Sequence, residues 1–444
     1  MTTPGVPELE ALDAAASGVR LPPGDTAPLT PRVRSLLDTA ALRRLARVSQ
    51  LGLVSLVYPG AVHSRLEHSL GVYRLALEFL RRLRGDARFA AAVGDDDASA
   101  FVAAALLHDV GHWAYCHPIE DMGLPELPRH ESLVLDVIGS GAVGDVLRRE
   151  WRLDPERVAD LIGGTATDDA GRIIHSLLSG PIDVDKMDYL SRDSLHAGVP
   201  DGRNFDQARL LSSLCLDEAG RSLAITAKGR TAAELMVFAR YVMFSEVYWH
   251  HAVRAATGML QRAIWLLRSR VDPPTLVRLD DAGFAAWITA AAAGTPAEAL
   301  VTGLFGPVRR LLKRVATFDA VGRPDVHAAL AGRPYADMVA VSSRLAALLS
   351  RRLQRPVDAA TLLVDAPPAE REVEFRLDVR ETAGGTSAAR WRRLEDLSPV
   401  VRSLAHQQFD DLVKRVRIFA DPELAAEIMA VGDLEQLLLE AAAG

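Results

Sequence analysis

Ala105-Leu106-Leu107-His108-Asp109-Val110-Gly111-His112 ends an Ala/Leu-rich segment on an adjacent imidazole and carboxylate, with another imidazole one turn later. Gly111 is a natural helix stop. Burying an ionised Asp at the end of such an apolar helix is costly unless it is paired or metal-bound. Upstream lies His63-Ser64-Arg65-Leu66-Glu67-His68-Ser69-Leu70-Gly71-Val72, and downstream Asp183-Val184-Asp185-Lys186-Met187-Asp188-Tyr189. His68, His108, Asp109 and Asp185 are the four ligands expected to close on one ion. Borderline divalent metals with hydrolytic roles favour this mixture of imidazole nitrogen and carboxylate oxygen. The chain is expected to be a metal-dependent hydrolase.

Ten of the twelve histidines fall between His63 and His251, which places the expected chemistry in the amino-terminal part. His112, His117, Glu120 and His130 are not needed for four-coordination. They are candidates for proton transfer and phosphate contact, with Glu120 suited to orienting an imidazole. Protonating a departing alkoxide is worth roughly 10²–10⁴ in rate. Asp185, Tyr189, Arg192 and His196 recur at intervals of four, three and four, so they share one helical face. That face reads as a pocket wall. Lys186, Arg65 and Arg240 add positive charge suited to phosphate.

The 444 residues exceed what one simple core needs, so two subdomains are expected. At 49% hydrophobic and 25% charged the composition is that of a globular protein, with no apolar run long enough to span a membrane. The amino terminus lacks a basic cluster and a long apolar stretch, which argues against a signal peptide. Cys116 and Cys215 make neither a disulfide framework nor a thiolate metal site in this reading, and a cytoplasmic location is expected. A net charge of −7 disfavours a protein built mainly to hold nucleic acid. Arg309, Arg310, Lys313 and Arg314 cluster at helical spacing, either as a solvated face or as an anion or subunit contact.

The fold class expected is mainly α, a helical core with a smaller α+β carboxy-terminal region. The division expected is a loosely ordered Pro/Gly-rich arm over 1–28, a catalytic core over 29–270 and the remainder over 271–444. Helices are expected within 33–51, with Asp38-Thr39 as a cap, and over 64–84. Others follow from Asp95-Asp96-Asp97 to about Val110, and over 131–150, 154–163, 170–179 and 185–197. A strand at 222–226 precedes one long helix over 231–269. Helices then continue to about 354. Strand-like runs lie at 361–364 and 372–379, followed by a Gly384-Gly385-Thr386-Ser387 loop and helices near 397–416 and 422–441.

Several motifs together resemble the HD-domain phosphohydrolases, more narrowly the deoxynucleoside triphosphate triphosphohydrolases of the sterile-alpha-motif-and-HD-domain type. They are Gln50-Leu51-Gly52, Tyr58-Pro59-Gly60-Ala61, His63 to Val72, His108 to His112, His130-Glu131, and Asp183 to Tyr189 followed by Arg192-Asp193. The resemblance is strong over about 36–270 and weak beyond. It implies His68, His108, Asp109 and Asp185 as metal ligands, and His117, Glu120 and His130 at the family's catalytic positions. It places His112, Arg65, Lys186, Tyr189 and Arg240 towards a triphosphate, and Gln50, Leu51, Asp193 and Tyr248 towards the sugar. Leu51 would crowd a ribose 2′-hydroxyl. The implied reaction is water attack at the α-phosphorus, giving a deoxynucleoside and inorganic triphosphate. The implied cofactor is a divalent transition metal (Fe, Mn, Zn or Ni), with Mg as a nucleotide counter-ion. A homodimer or homotetramer is the implied assembly.

The sequence departs from the family in four places. No sterile-alpha-motif module precedes the core, and the usual Asp-Pro-Val/Ile-His-Gly element is missing. Asp38, Arg43 and Ala46 stand where activated members carry Asp, Gln and Arg, and His251 replaces a frequent Lys after Tyr248-Trp249-His250. These departures argue against nucleotide-triggered assembly and leave constitutive or differently regulated activity as the expectation. The alternatives are an HD-type phosphodiesterase or nuclease acting on nucleic-acid ends or another nucleotide, and a non-enzymatic nucleotide-sensing regulator.

Overall fold

The computed structural model describes residues 5–14, 17–368, 376–382 and 389–444, without the side chains of 382, 389 and 406–410. At its centre is the Asp95–Leu107 helix, buried at every position from Ala98 to Leu107. Its run of alanines lets three neighbours approach closely: the Arg65–Leu83, Pro155–Gly163 and Asp169–Leu178 helices. Phe79 and Phe101 are wholly buried in this core. Removing such a side chain from water contributes about 1.5–3 kcal/mol.

Helix ends follow the local chemistry. Ser64 caps the Arg65–Leu83 helix by accepting from the Glu67 amide, and Thr39 caps Ala40–Leu45 through the Leu42 amide. Asp183 does the same for Val184–Ala197. Satisfying one orphan amide in this way is typically worth about 1 kcal/mol. The three aspartates at 95–97 fill the first turn behind Gly94 and make no side-chain cap. There they favour the positive end of the helix dipole instead.

The chain is mainly helical with a smaller α+β carboxy-terminal region. A four-stranded sheet runs Leu214–Leu216, Leu223–Thr226, Asp378–Thr382, Ala389–Arg393, its middle pair parallel and the others antiparallel. A three-stranded antiparallel sheet has Val416–Ala420 at its centre, between Lys313–Phe318 and Leu363–Asp365.

Several sequence expectations give way. The arm over 1–28 is not loose where it is described: Pro7–Asp13 is a helix and Gly18–Leu21 pairs with Asp25–Pro28. Glu8, wholly buried, anchors it by accepting from Thr30 Oγ1 at 2.7 Å and Arg32 Nε at 2.8 Å. Lys313 and Arg314 begin a strand, not a helix face. Val416–Ala420 is a strand, not anticipated, that starts at the end of the helix expected near 397–416 and fills the gap before the one expected over 422–441. The helix expected over 131–150 breaks at Ser140. The one expected over 231–269 is two, Arg230–Met243 and His251–Leu267, joined through a π turn at Phe244–Tyr248. His250 restarts the second by accepting from the Ala252 amide. The helix expected over 422–441 likewise divides into Ala425–Met429 and Leu434–Ala443. The expected strand over 372–379 falls partly, and the Gly384 to Ser387 loop wholly, outside the described residues.

No helix among the described residues is long and apolar enough to cross a membrane.

Candidate metal centre and active site

His68 projects from the first turns of the Arg65–Leu83 helix, His108 ends the central helix, and Asp185 lies in the first turn of Val184–Ala197. Their ligand atoms converge. His68 Nε2 is 3.2 Å from His108 Nε2 and 2.9 Å from Asp185 Oδ1, and His108 Nε2 is 3.8 Å from that oxygen. Asp109 Oδ1 lies 3.4 Å from His108 Nε2. The first three residues place a ligand atom each within 4.8 Å of one another, and Asp109 stands at the edge of that group.

The tautomers decide what such a group can hold. His68 Nδ1 is 2.8 Å from Asp188 Oδ2, and His108 Nδ1 is 2.9 Å from the Ala105 carbonyl. If each Nδ1–H donates to its oxygen, both Nε2 atoms present lone pairs to each other, which only a shared cation satisfies. An imidazole oriented through its other nitrogen by a carboxylate or carbonyl is the usual arrangement around a metal. Without a cation, a proton takes that place. Burial disfavours charge on His68, yet hydrogen bonds to Asp185 and Asp188 outweigh it and raise its pKa to about 10. The donor set therefore fits a divalent ion, whose binding would displace that proton.

A second ring of side chains abuts the first. Asp109 Oδ2 accepts from buried Arg65 Nη1 at 2.9 Å, and Asp109 Oδ1 is 3.1 Å from His112 Nδ1. Burial alone would raise the Asp109 carboxyl, but His112, His108 and Arg65 hold it well below the usual carboxylate range. Burial and the neighbouring Arg65 hold His112 well below its ordinary value, so its imidazole is neutral. His112 Nε2 is 3.2 Å from His117 Nε2. Glu120 grips His130 twice, through the amide at 2.7 Å and through Nδ1 at 2.8 Å. Gly111 permits this assembly, since a Cβ there would lie 2.3 Å from the His130 carbonyl oxygen.

Beside these rings opens a cavity of about 420 Å³. Gln50, Leu51, Arg65, His117, Tyr189, Asp193 and Tyr248 line it, together with Tyr115 and Cys116. Gln50 Oε1 and Arg65 Nε are buried there without a hydrogen-bond partner, one acceptor and one donor awaiting a ligand. Asp193 is fixed between His63 Nε2 at 2.9 Å and the Tyr248 hydroxyl at 2.6 Å. Burial pushes the Tyr189 phenol up to about 12, keeping it a neutral donor.

Three expected triphosphate contacts stand off this lining, His112 in the second ring and two others. Lys186 Nζ is held by Asp183 at 2.6 Å, and Arg240 lies over the Phe244 ring at 5.5 Å. The shared face on 185–196 divides in the same way. Asp185 and Tyr189 turn to the site, whereas Arg192 binds Asp188 and Glu67, and His196 stacks on His63 with ring centroids 4.3 Å apart. Asp188, Glu67 and His63 thus form a supporting layer that the sequence reading left without roles. The i, i+4 spacing of Asp188 and Arg192 was the one available signal.

The HD domain pattern matches residues 65–193, and the HD associated region matches 205–438, more than half of the chain. The chain belongs to the HD-domain family that carries this associated region, and it has a His/Asp cluster that could hold a divalent metal. Among its relatives is the uncharacterized protein YwfO of Bacillus subtilis, 36% identical over 52% of this chain and 50% of that protein. The deoxynucleoside triphosphate triphosphohydrolase SAMHD1 of Gallus gallus is 30% identical over 50% of this chain and 40% of its own. The chain thus spans about half the length, or less, of these curated relatives. A phosphohydrolase from Bacteroides thetaiotaomicron shares the fold, with a TM-score of 0.68 at 22% identity over 91% of this chain and 99% of that one.

Proposed function

We propose that the chain hydrolyses deoxynucleoside triphosphates at the α-phosphorus, releasing a deoxynucleoside and inorganic triphosphate. One observation carries the reading: a nucleoside-sized cavity with an unpartnered donor and acceptor opens beside the His68–His108–Asp109–Asp185 cluster. A bound divalent ion supplies phosphoryl polarisation and an acidified water. The chain's own residues do the rest. Arg65 and Tyr189 neutralise or hydrogen-bond phosphate oxygens. Desolvation, Arg65 and His130 hold the His117 pKa down to about 3, so it carries no proton of its own at neutral pH. It instead passes to the departing 5′-oxygen a proton relayed from His130, which Glu120 holds. Gln50, Asp193 and Tyr248 orient the sugar. The metal assignments, the proton-transfer set and an oligomeric assembly belong to this same reading, and the SAMHD1 likeness supports its substrate class.

The test incubates the full chain with Mn²⁺ and each of the four dNTPs, with and without GTP. Triphosphate release is expected. Consumption of no dNTP overturns the substrate assignment, and mononucleotides released from a short single strand under the same conditions would favour a nuclease. Leu51 gives a sharper check. Its side chain lines the cavity, and the family resemblance sets it against a ribose 2′-hydroxyl, so Leu51→Ala should raise ribonucleotide turnover relative to deoxyribonucleotide by roughly 10-fold or more. An unchanged ratio of kcat/KM values removes Leu51 from sugar selection.

A further inference from the structure

Cys116 lies next to His117, is 1% exposed, and lines the cavity. No step of the proposed hydrolysis uses its thiol. His112, Cys116, His117 and His130 each offer a ligand atom, and all four atoms lie within 4.8 Å of one another. We propose that these four residues form a second cation site, a thiolate–imidazole one, that takes a zinc-class divalent ion.

The geometry carries the proposal. Zn–N bonds near 2.05 Å and a Zn–S bond near 2.3 Å put tetrahedral ligands about 3.4 Å apart for two nitrogens and about 3.6 Å apart for sulfur and nitrogen. His112 Nε2 and His117 Nε2 are already 3.2 Å apart. His112 and His130 have committed their Nδ1 atoms to Asp109 and Glu120, which leaves each Nε2 to face a metal, with Glu131 Oε1 3.6 Å from that of His130. Tyr115, just before the cysteine, sits at φ 58°, ψ 27°, a left-handed conformation that non-glycine residues adopt at a cost. That turn carries Cys116 and His117 from the HD loop towards His112 and His130.

The two sites differ in kind. The first offers nitrogen and oxygen and suits a hydrolytic ion, whereas one thiolate and three imidazoles favour a softer one. Asp109 lies between them, 3.4 Å from His108 Nε2 and 3.1 Å from His112 Nδ1, and its negative charge separates the two cations. Burial pushes the free Cys116 thiol up to about 12, so it is inert until a cation displaces its proton. An ion there occupies the imidazoles given to proton transfer, and zinc is then an inhibitor. Binding itself does not depend on which substrate the chain takes.

The experiment titrates chelator-stripped full-length protein with Co²⁺ and follows the near-ultraviolet thiolate-to-cobalt charge-transfer band. Two equivalents and the band are expected for the wild type. Cys116→Ser should fall to one equivalent and lose the band, while Cys215→Ser, altering the other cysteine, keeps both. One equivalent with the band supports this site and counts against the first. A wild type without the band, or a band that survives Cys116→Ser, overturns the proposal. X-ray absorption of the zinc-loaded wild type gives a second readout that needs no variant. A Zn–S distance of about 2.3 Å is expected, and a shell of nitrogen and oxygen alone contradicts the site.

Discussion

Replacing His108 and Asp109 together by alanine is expected to abolish metal content and turnover. The pair is expected to supply two of the four ligand atoms around the first site, and His108 Nε2 links it to the rest, 3.2 Å from His68 Nε2 and 3.4 Å from Asp109 Oδ1. Losing a partner in the surrounding shell alone typically costs 10–100-fold in metal affinity. Losing two direct ligands should exceed that, by at least about 100-fold. Asp109→Ala also strands buried Arg65, whose guanidinium it neutralises at 2.9 Å. Breaking a buried pair in this way costs roughly 3–5 kcal/mol. His108→Ala alone leaves that pair intact and separates loss of metal from loss of fold. Elemental analysis and thermal unfolding of the double and single variants read both effects, and a double variant that still turns over substrate rules out the site.

Gly71→Ala should be nearly as severe, although Gly71 touches no ligand atom. A Cβ at this position would lie 2.0 Å from Asp188 Oδ1 and 2.2 Å from Arg192 Nη2. Real carbon atoms do not approach so closely, so the Arg65–Leu83 and Val184–Ala197 helices must separate or Asp188 must swing away. Asp188 is the carboxylate that orients His68 through Nδ1 at 2.8 Å. Metal affinity should therefore drop roughly 10–100-fold, with a stability loss of about 1–3 kcal/mol from overpacking. Metal titration and chemical denaturation check the two. Wild-type values for both would show that the close packing of these helices does not position His68.

The parts legible in sequence were those where local chemistry and function coincide. The Thr39 cap, the helix beginning at Ser64 and the Ala/Leu helix leading to His108-Asp109 are short-range signals that the structure bears out, although that last helix ends at Leu107, ahead of the expected stop at Gly111. The likeness of the motifs brought Gln50, Leu51, Asp193 and Tyr248 to one site, and all four line the cavity. What escaped was set by tertiary contact. Val416–Ala420 is buried at every residue, Arg417 included, and five residues interrupted by one charge carry no period that tells a strand from a helix. Lys313–Phe318 pairs along it and was hidden by the basic residues before and within it. The supporting layer is non-local as well: Glu67 meets Arg192 and His196 across more than a hundred residues of chain. Cys116 was set aside because two distant cysteines make no thiolate site by themselves, whereas the fold surrounds one of them with imidazoles.

Anomalous diffraction from crystals grown with Mn²⁺ tests the central claim most directly. The account predicts a peak about 2.0–2.2 Å from His68 Nε2, His108 Nε2 and carboxylate oxygens of Asp109 and Asp185. Saturating Mn²⁺ with no peak among those four side chains would contradict it.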